Sequence, residues 1–141
     1  MATPTRPKLA KEEAKPWMVT PSYWAGSLPE WAIYWAHGQL GLVEGVQWTY
    51  QSPLAGGRSQ KGGAVIDFEE HDVGIGIRVQ GLYFHLSPDQ VAYDVMQRAA
   101  LESAGFRIID IDEDDALRSP VYYLKEARSG IDHSRQARGV G

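Results

Sequence analysis

The order of apolar and polar positions changes character after residue 26. Ser27-Leu28-Pro29-Glu30 has the form of a capping box with a proline in the first turn. Leu28, Trp31, Ile33, Tyr34 and Trp35 then predict a strongly apolar helix that stops near Gly38 or Gly41. Residues 46–51 alternate as a half-buried strand does. Residues 64–68 read as a second strand that runs into the acidic turn Glu69-Glu70-His71-Asp72. Residues 75–80 form a third, with Ile77 and Val79 on one face and Arg78 and Gln80 on the other. Ser87-Pro88-Asp89-Gln90 opens a second helix whose apolar stripe is Val91, Val95 and Ala99, with Gly105 as its stop. A fourth strand over 106–111 and a short helix over 120–127 complete the pattern.

Three strands in succession imply an antiparallel meander, and the strand–helix–strand step that follows implies a parallel crossover. The expected fold class is therefore α/β, in the order α-β-β-β-α-β-α, with a mixed central sheet flanked by helices. Residues 27–128 make up this domain. Residues 1–26, with their prolines and mixed charge, read as an extended arm anchored through Trp17, Tyr23 and Trp24, and residues 129–141 as a flexible tail.

Charge narrows the function. The arm carries +2 and the tail +1, so residues 27–128 hold 8 basic and 15 acidic side chains, a balance of −7. A tight, sequence-blind coat for nucleic acid needs the opposite sign. The 141 residues contain no cysteine, which removes disulfides, cysteine-based zinc sites, iron–sulfur clusters and thiol nucleophiles. There is no run of 18 apolar residues, hence no expected membrane contact, and residues 1–17 lack the apolar core of a signal peptide. The expected location is the cytoplasm, associated with the nucleoid, or an assembled particle such as a virion.

Candidate chemistry concentrates between Gly62 and His85. Asp67 is the odd residue in an apolar strand, next to the polar face of the following strand. A hard cation such as Mg²⁺ binds in such a place, through carboxylate and backbone carbonyl oxygens. Arg58 and Lys61 in the glycine-rich loop before it are suited to grip phosphates. This arrangement resembles the restriction-endonuclease-like, or PD-(D/E)xK, superfamily over residues 27–128. That family places an Asp at the end of the second core strand and an acid-x-Lys on the third. Asp67 matches the former, while Arg78 stands at the acid position and Gln80 at the lysine position.

The very short patch repair endonucleases, a branch lacking that Glu and Lys, are more similar. Their third strand continues through a glycine and two aromatic-type residues to a histidine, like Gly81-Leu82-Tyr83-Phe84-His85 here, and the separation of 18 residues from Asp67 to His85 also fits. The resemblance implies a Mg²⁺-dependent DNA endonuclease. Asp67 and the Val79 carbonyl would hold the metal, His85 would be the base, and Gln80 would be the polar residue beside them. The branch's structural zinc is not expected here, because its cysteines and several of its histidines are missing. Members of the wider superfamily also add a first-helix acid, which would be Glu30, and a basic third-strand residue such as Arg78 would face nucleic acid.

Each residue also has a plainer role. Asp67 fits a turn cap, His85 a spacer at a helix entrance, and Glu30 its own capping box. Arg78 can pair with Asp67 or Glu30 and replace a metal by a guanidinium. Asp110 and Asp112 to Asp115 read as a solvated strand-to-helix edge, and Asp94 with Arg98 as a surface i,i+4 pair. Trp31, Trp35 and Trp48 sit at core-like positions. The competing function is thus a catalytically silent nuclease-fold protein held in a larger assembly, such as a virus particle, through its aromatic arm.

Overall fold

A computed structural model describes residues 14–51, 66–81 and 88–139. Helix α1, Leu28–Gln39, starts as its sequence demands. Ser27 Oγ accepts the Glu30 N–H at 3.2 Å and the Glu30 carboxylate accepts the Ser27 N–H at 3.1 Å, so two otherwise orphaned amides are satisfied. Strands β1 (Trp48–Tyr50), β2 (Phe68–Glu70) and β3 (Ile75–Gln80) form the antiparallel meander. Helix α2 (Pro88–Ser103) then crosses to β4 (Arg107–Asp112), which pairs parallel with β3. The sheet order is β1-β2-β3-β4. Two further helices follow, α3 (Glu113–Arg118) and α4 (Pro120–Arg128). The structure is thus mixed α/β, a four-stranded mixed sheet with helices around it.

The two faces of the sheet are built differently. Phe68, Ile75, Ile77, Ile109 and Ile111 point to one face and pack with Ile33, Ala36, Ala116, Leu124 and Ala127 of α1, α3 and α4. Strict alternation in β3 and β4 puts these isoleucines on one side. Among the described residues, the opposite face holds a small apolar cluster, Ile66, Leu101 and Ile108, with Phe106 against it. The other described strand residues of that face include the charged Glu69, Arg78 and Asp110 and the polar Thr49 and Gln80.

Three expectations need correcting. The second strand occupies Phe68–Glu70, so Glu69 and Glu70 are buried strand residues rather than part of a solvated turn. Glu69 receives a hydrogen bond from Gln51, and Glu70 is met by His37 and Arg128. Residues 64 and 65 lie outside the described set. On α2, Val91 and Val95 are 44% and 59% exposed, because the helix instead turns Asp94, Arg98 and Leu101 to the sheet. Among the described arm residues, Trp17 and Trp24 are anchored but Tyr23 is exposed. Trp17 packs at a tilt on Trp35 and donates to the Leu117 carbonyl at 2.7 Å, and Trp24 packs on Trp31, Tyr34 and Tyr50. Within residues 129–139, Ser134 is 1% exposed, and Asp132 and Arg135 bond to β4.

Candidate functional site

Asp67 sits immediately before β2 and its main chain is fixed on both sides. Its N–H donates to the Ile77 carbonyl and its carbonyl accepts the Gln51 N–H, both at 2.9 Å. The side chain is buried, and Oδ2 accepts the Val79 N–H at 2.8 Å. The carboxylate therefore stands in for a strand partner at β3, bringing together the two residues expected to share a metal. His85, Arg58 and Lys61 lie outside the described residues.

Arg78 does not pair with Asp67 or Glu30. It is buried, and its three nitrogens go elsewhere: Nε to Asp110 Oδ1 at 2.7 Å, Nη2 to Asp110 Oδ2 at 3.1 Å, and Nη1 to Asp94 Oδ1 at 2.5 Å. Arg98 closes the figure from α2, donating to Asp94 Oδ2 at 3.2 Å and Asp110 Oδ2 at 2.6 Å. The result is a ring of alternating charge, Arg78–Asp94–Arg98–Asp110, across β3, α2 and β4. Gln80 reaches its margin, 3.4 Å from Asp110 Oδ1. Burial lowers the pKa of the Arg78 guanidinium, but Asp110 and then Asp94 more than reverse this and leave it above the ordinary arginine range. Burial likewise pushes Asp94 up, and Arg78 followed by Arg98 draws it below the usual carboxylate range. An arginine expected to face nucleic acid is thus engaged inside the fold.

Glu30 is committed to α1: besides capping it, Oε1 accepts the Tyr50 hydroxyl at 2.9 Å, which ties the helix start to β1. The acidic run from the end of β4 into α3 is not a solvated edge, since Asp110, Asp112 and Asp115 are buried. Asp112, Asp114 and Asp115 bring carboxylate oxygens within 4.8 Å of one another, a spacing compatible with a metal ion. Guanidinium groups already serve them. Arg135 donates to Asp112 at 3.1 Å and Asp114 at 2.6 Å, and Arg118 to Asp115 at 2.6 Å. Burial raises the Asp112 carboxyl above its ordinary value although Arg135 opposes it.

The sequence reading missed a second buried polar chain. His37 Nδ1 donates to the Ile33 carbonyl at 2.8 Å while Nε2 lies 2.8 Å from Glu70 Oε2, and both side chains are fully buried. Arg128 binds Glu70 at 2.5 Å and Asp72 at 2.6 Å. Trp48 stacks on the imidazole with centroids 3.8 Å apart. The available signal was a histidine four residues after Ile33, on the apolar face of α1. The chain matches no protein-family model, no curated protein and no solved structure.

Proposed function

We propose that the chain is a Mg²⁺-dependent DNA endonuclease on a restriction-endonuclease-like core, of the very short patch repair kind, with its metal at Asp67. The observation that carries this reading is the 2.8 Å contact between Asp67 Oδ2 and the Val79 amide. It sets a carboxylate beside the third-strand residue whose carbonyl would be the second protein ligand. The Arg78 guanidinium, which in that position would displace a cation, is instead held by Asp94 and Asp110. The strand–helix order supports the same core.

The donor set suits the ion. Mg²⁺ keeps several waters and takes only one or two carboxylates from a protein, so Asp67 with the Val79 carbonyl is a sufficient share. When bound, the ion supplies charge stabilisation for the pentacoordinate phosphorus and polarises a water. With the ion bound, the His85 imidazole would be the group to accept the proton of the attacking water, a contribution of about 10²–10⁴-fold. Gln80 presents its amide at the end of β3. Arg58 and Lys61 bind phosphates of the DNA backbone.

The test pairs calorimetric titration of Mn²⁺ and Mg²⁺ with nicking of supercoiled plasmid, on wild type, Asp67→Asn and His85→Ala. Asp67→Asn retains an acceptor for the Val79 N–H and removes the charge. The expected outcome is metal binding and nicking lost in Asp67→Asn, with binding kept and nicking reduced in His85→Ala. A folded wild-type chain that takes up neither ion and leaves the plasmid intact overturns the reading in favour of a silent scaffold.

A further inference from the structure

Helix α2 is amphipathic in the reverse sense. Asp94 and Arg98, its only charged residues between positions 90 and 101, face the sheet and close the ionic ring, and Leu101 packs there with them. The outward side carries two adjacent rows, Val91, Val95 and Ala99 in one and Ala92, Met96 and Ala100 in the other, all of them exposed. Met96 is the most open of the larger ones, at 69%. A surface helix ordinarily keeps such residues for the core. Single exposed apolar side chains need no explanation, but a face continuous over about three turns marks a place where another surface sits. Rows with a spacing of four residues are ridges, and the groove between them takes the ridge of a second helix.

Charge at the two ends of this face bears on what that second helix is. The face is bounded by Asp89 and Glu102, both exposed. Asp89 stands in the first turn of α2, where the helix dipole favours an acid. Glu102 stands in the last turn, where the dipole opposes one, and no basic residue shares that turn. Helix stability therefore does not account for Glu102. A second copy of the chain is a poor fit. Laid antiparallel it sets Asp89 against Glu102, and laid parallel it sets each acid against itself. The −7 balance of residues 27–128 adds to that repulsion and also opposes an anionic lipid surface.

We propose that the outward face of α2 docks an amphipathic helix of another protein, with basic residues flanking its apolar ridge. The ridge enters the groove between the two rows, where Ala92 and Ala99 let the helix axes come close, and lysines or arginines about 20 Å apart reach Asp89 and Glu102. With an acid at each end, the partner is accepted in either direction. The docking face is separate from Asp67 and stands whether or not metal binds there.

The probes are two synthetic helical peptides with the same leucine and alanine stripe, one ended by lysines and one by glutamates. Each is titrated calorimetrically into the full chain, into Val95→Gln with Met96→Gln, and into Asp89→Asn with Glu102→Gln. All four positions are exposed, and far-UV circular dichroism checks that the variants keep the fold. The lysine peptide is expected to bind wild type, and to bind about tenfold more weakly once the apolar pair is replaced. Neutralising the two acids is expected to weaken it by about fivefold, and the glutamate peptide to bind wild type more weakly than the lysine peptide does. A lysine peptide that does not bind wild type overturns the proposal. So does one that binds the Val95 and Met96 variant equally well, since the attraction is then to acidic surface elsewhere. Sedimentation velocity and flotation with phosphatidylglycerol vesicles cover the other occupants. Self-association, or vesicle binding, that the Val95 and Met96 variant abolishes gives the face to a second copy or to a bilayer and likewise overturns it. If either variant fails to fold, the two peptides on wild type and the remaining variant decide.

Discussion

Arg78 and Asp110 are direct partners in the parallel register of β3 and β4, and the arginine Nε donates to the aspartate Oδ1 at 2.7 Å across that step. Main-chain pairing thus fixes where the two charges meet, and α2 supplies Asp94 and Arg98 to close the ring above them. Removing one partner from such a buried set is costly because the remainder keep their desolvation penalty. Arg78→Ala is expected to destabilise the fold by about 3 kcal/mol, measured as a shift in the urea midpoint at unchanged slope. Combining Arg78→Met with Asp110→Asn is expected to cost less than the sum of the two changes, since it leaves less uncompensated charge.

The pH response follows from Asp94. Its folded pKa lies below the ordinary value near 3.9, so the ring contributes its stability above that value and loses it as pH falls through the depressed one. Denaturation midpoints of wild type are therefore expected to fall on acidification from about pH 5 toward about pH 2. Asp94→Asn should show a shallower fall over the same range and a lower plateau at neutral pH.

Arg128 offers an internal comparison, because it binds one buried and one partly exposed carboxylate. Glu70 is fully buried and also serves His37, whereas the Asp72 side chain is 37% exposed. Glu70→Ala is expected to cost about 3–5 kcal/mol and to alter Trp48 emission through the stacked imidazole. Asp72→Ala is expected to cost no more than about 1 kcal/mol. Equal costs would contradict the view that burial sets the difference.

Gly76 lies on the charged face of β3, where a Cβ would stand 2.9 Å from Ile66 Cδ1 and 3.2 Å from Ile108 Cδ1. Both neighbours are flexible side-chain ends in a small cluster beneath α2. Gly76→Ala is therefore expected to cost about 1–3 kcal/mol through overpacking and to lower the melting temperature by several degrees. Gly38→Ala, where a Cβ meets nothing within 4 Å, is the control in the same calorimetric series.

Order and type of the long elements were legible because their signals are local. The capping box at Ser27 and Glu30, the alternation of Ile75, Ile77 and Val79, and the stop at Gly105 depend on neighbours in sequence. What escaped depends on partners far along the chain. Asp110 looked like the start of a solvated acidic run, yet its alternation with Ile109 and Ile111 places it over Arg78, 32 residues earlier. Val91 and Val95 formed a plausible apolar stripe, but the opposing sheet surface is ionic and draws Asp94 and Arg98 inward instead. At the candidate site, the proximity of Asp67 to Val79 followed from adjacent strands, whereas the direction taken by Arg78 required the position of α2.

One side of the sheet is sealed chiefly by aliphatic and aromatic packing and the other chiefly by guanidinium–carboxylate contacts, so dissolved salt acts unequally on the two layers. Ions screen charge pairs while they leave apolar association intact or strengthen it. Added salt therefore loosens α2 before α1 and α4, and the layer that gives way first is chosen by the solvent.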